Sequence, residues 1–83
     1  MSHGLQIDLL IQTPKALYVI EIKRRKHISA SIENEVHDKI RRLRAPRDKS
    51  VRSVLVYEGE LAPEVVENGY FDYIVPVERL LGR

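Results

Sequence analysis

Three charged side chains that could carry chemistry lie inside apolar, strand-like stretches near the start of the chain. Asp8 interrupts the stretch at residues 7–11, whereas Glu21 and Lys23 interrupt the stretch at residues 17–23. A charge within a run of β-branched and other apolar residues is costly unless it is paired, solvated or bound to a metal. These three residues are therefore the first candidates for a functional site.

A tight turn at residues 13–16 would fold the two stretches into an antiparallel hairpin, because Pro14 presets the backbone of the first central turn position. If the first and last turn residues face each other, the numbers of paired residues sum to 29, which places Asp8 opposite Glu21. Side chains alternate across a strand, so Lys23 shares the face of Glu21. The sequence therefore predicts two carboxylates and a lysine on one face of a hairpin.

Two opposed carboxylates have Cβ atoms roughly 4.5–5.5 Å apart, and they repel each other unless a cation lies between them. Mg²⁺ typically binds one or two carboxylates and keeps several waters. A lysine beside such a cation could orient a water or contact a phosphate oxygen. Two carboxylates and a lysine on one face therefore predict metal-assisted phosphodiester hydrolysis. Because this spacing also occurs by chance, the alternative is a solvated Glu21–Lys23 pair with Asp8 bound to a nearby base.

The same residues resemble the core of the PD-(D/E)XK nuclease superfamily, which has the restriction-endonuclease-like fold. The resemblance to the superfamily rests on Ile7-Asp8-Leu9-Leu10-Ile11 and Val19-Ile20-Glu21-Ile22-Lys23. A closer similarity is to the C-terminal domain of a group of prokaryotic AAA-type ATPases. It covers roughly residues 4–81 and rests on Gly4-Leu5-Gln6-Ile7-Asp8-Leu9-Leu10-Ile11, Glu21-Ile22-Lys23 and Gly69-Tyr70-Phe71-Asp72-Tyr73-Ile74-Val75.

The resemblance implies that Asp8 and Glu21 ligate Mg²⁺ or Mn²⁺ and that the backbone carbonyl of Ile22 is a further ligand. It also implies that Lys23 assists the attacking water, that DNA is the substrate, and that an ATPase domain belongs to the same longer protein. The superfamily core usually begins with a helix and a strand before the aspartate-bearing strand. Only a few residues precede that strand here, so we expect an N-terminally truncated core.

A basic cluster follows the second strand, next to the proposed site. Arg24, Arg25 and Lys26 could contact phosphates, and together with Gln6 they form the predicted nucleic-acid-binding set. The alternative to phosphate binding is that these basic residues are simply the solvated end of the strand. The net charge of +2 and the pI near 9.1 permit nucleic-acid binding without requiring it.

Length and composition limit the class of protein. The 83 residues predict one small domain, and we interpret the first four in part as residues introduced by cloning. The absence of cysteine excludes disulfides and thiolate metal sites. No apolar run approaches the roughly 20 residues of a membrane span, and none resembles a signal peptide. We therefore expect a cytoplasmic protein that does not bind membranes.

The hydrophobic pattern predicts an α/β fold in which helices flank a mixed sheet, with the element order ββαβαβ and a last helical turn. The strand–helix–strand order after the hairpin predicts a parallel crossover. Apolar residues at helical spacing predict that one face of the first helix packs against the sheet. The predicted elements are strands at 5–12 and 16–24, a helix at 30–43, a strand at 51–58, a helix at 62–67, a strand at 71–75 and a turn at 77–81.

The preferred function is a Mg²⁺-dependent nuclease-like domain that cleaves or binds DNA, as the C-terminal part of an ATPase. One alternative is a non-catalytic nucleic-acid-binding or oligomerisation module of the same fold. Another is a small protein-interaction domain in which Glu21 and Lys23 form only a surface salt bridge. The sheet edge that the absent elements would leave open predicts an isologous homodimer.

Overall fold

The chain folds around a four-stranded mixed sheet that is flanked by helices. The structure, a computed structural model, describes residues 7–82. The elements are β1 (Leu9–Gln12), β2 (Ala16–Ile28), α1 (Ser31–Leu43), β3 (Ser50–Leu61), α2 (Pro63–Glu67), β4 (Tyr73–Pro76) and α3 (Val77–Leu80). The strands lie in the order β1-β2-β3-β4, with β1 antiparallel to β2 and the other two pairs parallel. The predicted α/β class, mixed sheet and parallel crossover are confirmed.

The β1–β2 hairpin has the predicted register, because Leu9 pairs with Ile20 and the numbers of every pair sum to 29. Its turn is closed by Thr13, whose N–H donates to the carbonyl of Ala16 at 2.8 Å. The hydroxyl of Thr13 also accepts the N–H of Ala16 at 3.0 Å. The strand begins at Leu9, so the predicted strand is wrong at residues 7 and 8, where Asp8 lies in a bend and is not paired with Glu21 in the ladder, and its predicted start at residues 5–6 lies outside the described residues.

Strands β2 and β3 are longer than the sequence pattern predicts, because charged residues continue both strands in pairs. Arg24 lies opposite Glu58, and its Nε donates to Oε1 at 2.8 Å. His27 lies opposite Glu60, with Nδ1 3.1 Å from Oε1. Opposite charges on directly opposed residues such as Arg24 and Glu58 stabilise a strand pair, and the extension ends in the apolar pair Ile28–Leu61.

A β-bulge interrupts the β2–β3 pairing between Arg24 and His27. Opposite the bulge, Gly59 has φ +123°, a region that only glycine enters readily. A Cβ built on Gly59 would lie 1.6 Å from the carbonyl oxygen of Arg25. The bulge that shapes the basic cluster therefore depends on a glycine at this position.

Gly59→Ala is expected to lower the free energy of unfolding by about 2–3 kcal/mol, because it adds backbone strain and a clash with the strand. Gly69→Ala is the matched control, since Gly69 also has positive φ (+64°) but has open space around its Cβ position. The control should cost only about 1 kcal/mol. Urea unfolding of both variants measures the difference, and equal costs would show that the bulge tolerates a side chain.

The core lies between the sheet and helices α1 and α2. Ile32 and Val36 of α1 are buried, whereas Ile40 and Leu43 are half-buried. The remaining members of the core cluster are Ile28, Leu55, Val65 and Phe71. Arg41, Arg42 and Arg44 are exposed. The predicted inward face of α1 is confirmed, with its deepest contacts in the first two turns. No helix within residues 7–82 has the length and apolar character needed to cross a membrane.

The two faces of the sheet differ in an unexpected way. Leu17, Val19 and Glu21 alternate on the face of β2 that is buried. Leu9, Ile11 and Ile22 share the opposite face and remain between 43% and 47% exposed. The fold therefore buries the face that carries an acidic residue and leaves much of the more apolar face of the hairpin open.

Candidate metal site

Glu21 lies at the centre of the site, in the middle of β2. Its side chain is 2% exposed, and it points to the buried face together with Leu17 and Val19. On the neighbouring strand it is paired with Leu55, a core residue. The interpretation of Glu21 and Lys23 as a solvated surface pair is therefore wrong, because the carboxylate is enclosed by the core.

Two lysines surround the Glu21 carboxylate. Lys39 of α1 places Nζ 2.9 Å from Oε1 and 3.2 Å from Oε2, and so contacts both oxygens. Lys23 places Nζ 3.3 Å from Oε2. The lysine side chains are 24% and 17% exposed, respectively, so the group is shielded from bulk water on most sides. The buried charge is thus compensated by two ammonium groups.

The position of Lys39 follows from the apolar face of α1. Lys39 lies three residues after Val36 and four before Leu43, so it falls on the helix face that packs towards the sheet. Sequence reasoning missed this residue because it considered only the charged residues of the hairpin as candidates for the site. A lysine within the apolar stripe was the available signal.

Asp8 is exposed and lies immediately before β1. Its Oδ2 accepts the backbone N–H of Ile22 at 2.8 Å, which brings the carboxylate to the backbone next to Glu21. Within the described part of the chain Asp8 forms no ion pair, so its observed partner is a backbone amide and not a base.

A matching contact occurs at the other edge of the sheet. Asp72 lies immediately before β4, and its Oδ2 accepts the backbone N–H of Ser53 at 2.8 Å. The position of Asp8 therefore has a structural explanation, because an aspartate at the entry to an edge strand supplies an acceptor for an amide of the neighbouring strand. Asp72 provides an internal control for that structural role, and its Oδ1 additionally lies 3.5 Å from Nη1 of Arg52.

The predicted nucleic-acid-binding residues of β2 are exposed beside this site. The guanidinium of Arg24 binds Glu58, and Arg25 Nη2 lies 4.0 Å from Glu35 Oε1 on α1. Lys26 has no carboxylate within 4.0 Å among the residues that the structure describes. Gln6, the fourth predicted member, lies outside the described residues. The basic cluster is therefore partly neutralised, with Lys26 its least compensated charge.

Asp8 and Glu21 offer few oxygen ligands, so a cation bound by them would have to retain water. In residues 7–82 no three His, Asp or Glu side chains converge into a closed metal cage. Asp8 and Glu21 could supply two carboxylates, the number that Mg²⁺ commonly takes from a protein. Ile22 lies between the two groups, because its amide binds Asp8 and its chain neighbour is Glu21. Asp8, Glu21 and Ile22 are therefore the residues that could hold an open, hydrated Mg²⁺ or Mn²⁺ ion.

Comparison with models of known protein families, with curated proteins and with solved structures finds no match. A function for this chain therefore has to be inferred from its residues and their geometry. The feature that most needs explaining is a carboxylate held by two lysines on the buried face of a central strand.

Proposed function

We propose that this chain is a Mg²⁺- or Mn²⁺-dependent nuclease-like domain that acts on DNA, with a restriction-endonuclease-like core and an origin as the C-terminal part of an ATPase. Asp8 and Glu21 are the proposed metal ligands, with the Ile22 carbonyl as a further ligand. The observation that carries this proposal is the burial of Glu21 between Lys23 and Lys39.

Such a cluster is a poor way to gain stability. Desolvation of the ions offsets much of their attraction, and a well-packed apolar residue at the same position is often as stable or more so. The expected residue on the buried face of this strand would be apolar, like Val19 two positions earlier. Clusters of buried, paired charges are common at functional sites, which supports a chemical role for Glu21.

A bound cation would polarise the scissile phosphate and lower the pKa of a coordinated water. The residues of this chain have separate tasks around it. Asp8 can offer its second carboxylate oxygen while Oδ2 continues to accept the Ile22 amide. Lys23 neighbours Glu21 on the strand and can hold a water or a phosphate oxygen. Arg24, Arg25 and Lys26 continue the strand and would bind the DNA backbone.

Asp8→Asn is expected to reduce Mg²⁺-dependent cleavage of linear or branched DNA by at least about a hundredfold, because a metal ligand supplies several kcal/mol of transition-state stabilisation. Asparagine retains an oxygen that can accept the Ile22 amide, so the fold should persist. Asp72→Asn is the matched control, since Asp72 makes the same kind of contact with Ser53 at the opposite edge.

The control should cleave like the wild-type protein. Equal losses of cleavage rate in both variants would show that Asp8 affects cleavage only by stabilising the edge of the sheet. An unchanged cleavage rate in Asp8→Asn would show that Asp8 is not part of the site. Rates are to be measured at saturating DNA, with melting temperatures recorded for both variants.

A second candidate is an oligomerisation module of the same fold, and the exposed apolar face of the hairpin favours it. Leu9, Ile11 and Ile22 form a contiguous set on this face, and β1 is an edge strand. A second copy that covers this face would form the predicted isologous homodimer. Sedimentation velocity over a range of protein concentrations tests this candidate, which a monomer at high concentration would contradict.

A further inference from the structure

We propose that Lys39 is a resident counter-ion of the site, which competes with the metal for the Glu21 carboxylate and is released when the metal binds. This inference rests on the metal site of the proposed function. It adds a residue from α1 to a site that otherwise comes entirely from the hairpin. It also assigns Lys39 a regulatory role, because the strength of its contact sets how tightly the cation can bind.

The geometry of the contact supports competition. The ammonium of Lys39 lies within hydrogen-bond distance of both oxygens of Glu21, at 2.9 and 3.2 Å. Mg²⁺ binds carboxylate oxygens at about 2.0–2.1 Å and so needs a lone pair on one of those same oxygens. A divalent cation and an ammonium on one buried carboxylate repel each other strongly, because little water screens them. Full occupancy by both cations is therefore unfavourable.

The two lysines differ in how easily their ammonium groups can move away from the Glu21 carboxylate. Lys23 belongs to the same strand as Glu21 and contacts a single oxygen at 3.3 Å. Lys39 belongs to a different element, and its side chain is 24% exposed, so it has a path to solvent along a flexible four-carbon stem. A metal at Glu21 would therefore displace Lys39. The released ammonium stays at the mouth of the site, where it can bind an anion such as a phosphodiester.

Lys39→Met tests the inference by titration with Mn²⁺ in a calorimeter. Methionine preserves most of the length and apolar surface of the lysine stem but removes the competing charge. We expect Mn²⁺ to bind about tenfold more tightly to Lys39→Met than to the wild-type protein. Arg41→Met is the matched control, since Arg41 lies on the same helix, is exposed and binds Asp38 instead. The control should change Mn²⁺ affinity by less than about twofold.

Two further variants guard against a folding defect. Lys39→Gln can still donate a hydrogen bond to Glu21 but carries no charge, so it should also bind Mn²⁺ more tightly. Lys39→Arg keeps the charge and should retain weak, wild-type affinity. Tighter binding to Lys39→Met, including binding where the wild-type protein shows none, supports competition. If the wild-type protein binds Mn²⁺ and none of the Lys39 variants changes that affinity, Lys39 does not compete with the metal. The proposed metal site itself would be unaffected by that result.

The release of Lys39 has a direct readout in NMR spectra of the lysine ammonium groups. The ion-paired Lys39 ammonium should give a protected signal in the metal-free protein, and saturating Mg²⁺ should abolish it. A Lys39 signal that survives saturation with Mg²⁺ would overturn the inference. If neither the wild-type protein nor any variant binds metal, the metal site itself is wrong. The proposed competition by Lys39 is then wrong as well.

Discussion

Replacing Glu21 with alanine is expected to lower the free energy of unfolding by about 3–5 kcal/mol, although the substitution removes a charge from the interior. The alanine variant leaves Lys23 and Lys39 close together without the carboxylate that binds both. It also leaves a cavity beside Leu55. The sequence alone predicts that the fold persists, because the substitution removes repulsion between Glu21 and Asp8. The lysines reverse that expectation.

Glu21→Gln and a double-mutant cycle separate the charge from the cavity. Glutamine keeps the volume but replaces one accepting oxygen with an NH₂ donor that faces a lysine, so its cost measures the loss of the charge and of one accepted hydrogen bond without the cavity. The double variant of Glu21→Ala and Lys39→Met should be more stable than the sum of the single effects, because it leaves only one lysine unpaired. Denaturant unfolding at neutral pH of the wild-type protein, the single variants Glu21→Ala, Glu21→Gln and Lys39→Met, and the double variant gives these free energies. A cost below about 1 kcal/mol for Glu21→Ala would show that the lysines simply move into solvent.

Val36→Asp is expected to cost about 3–5 kcal/mol and to unfold much of the protein at room temperature, since it places an unpaired charge in the core. Val36 is fully buried in the cluster that joins α1 to β2, β3 and α2. The same helix delivers Lys39 to Glu21, so the variant should also disrupt the site. Circular dichroism during thermal unfolding measures the loss.

Val66→Asp is the matched control, because Val66 is a valine of α2 with 61% of its surface exposed. The control should change stability by less than about 0.5 kcal/mol. If the two valines tolerated aspartate equally well, the assignment of the inward face of α1 would be wrong.

The local parts of the fold were predictable because the residues that determine them are close in sequence. A proline turn and two alternating stretches set the hairpin register, and Leu9 pairs with Ile20 as the pattern requires. The spacing of Ile32 and Val36 sets the inward face of α1 in the same way. The parallel pairing of β2 with β3 follows from the helix between them.

The remaining features depend on contacts between distant residues. The cross-strand pair of Arg24 with Glu58 extends two strands beyond their apolar segments, and neither residue predicts this alone. The burial of Glu21 depends on which face of the hairpin α1 covers, and the covered face is the less apolar of the two. The contact between Lys39 and Glu21 joins residues that are 18 positions apart. Periodicity within one element cannot reveal such a contact.

Anomalous scattering from a crystal soaked in Mn²⁺ tests the central claim most directly. The proposed function predicts one Mn²⁺ peak that contacts carboxylate oxygens of both Asp8 and Glu21 at about 2.0–2.2 Å, with the Lys39 ammonium moved away from Glu21. The Asp8→Asn protein, soaked in the same way, should lose most of that peak. Absence of a peak in the wild-type crystal at millimolar Mn²⁺, with Glu21 still bound to Lys39 and Lys23, would contradict the metal site.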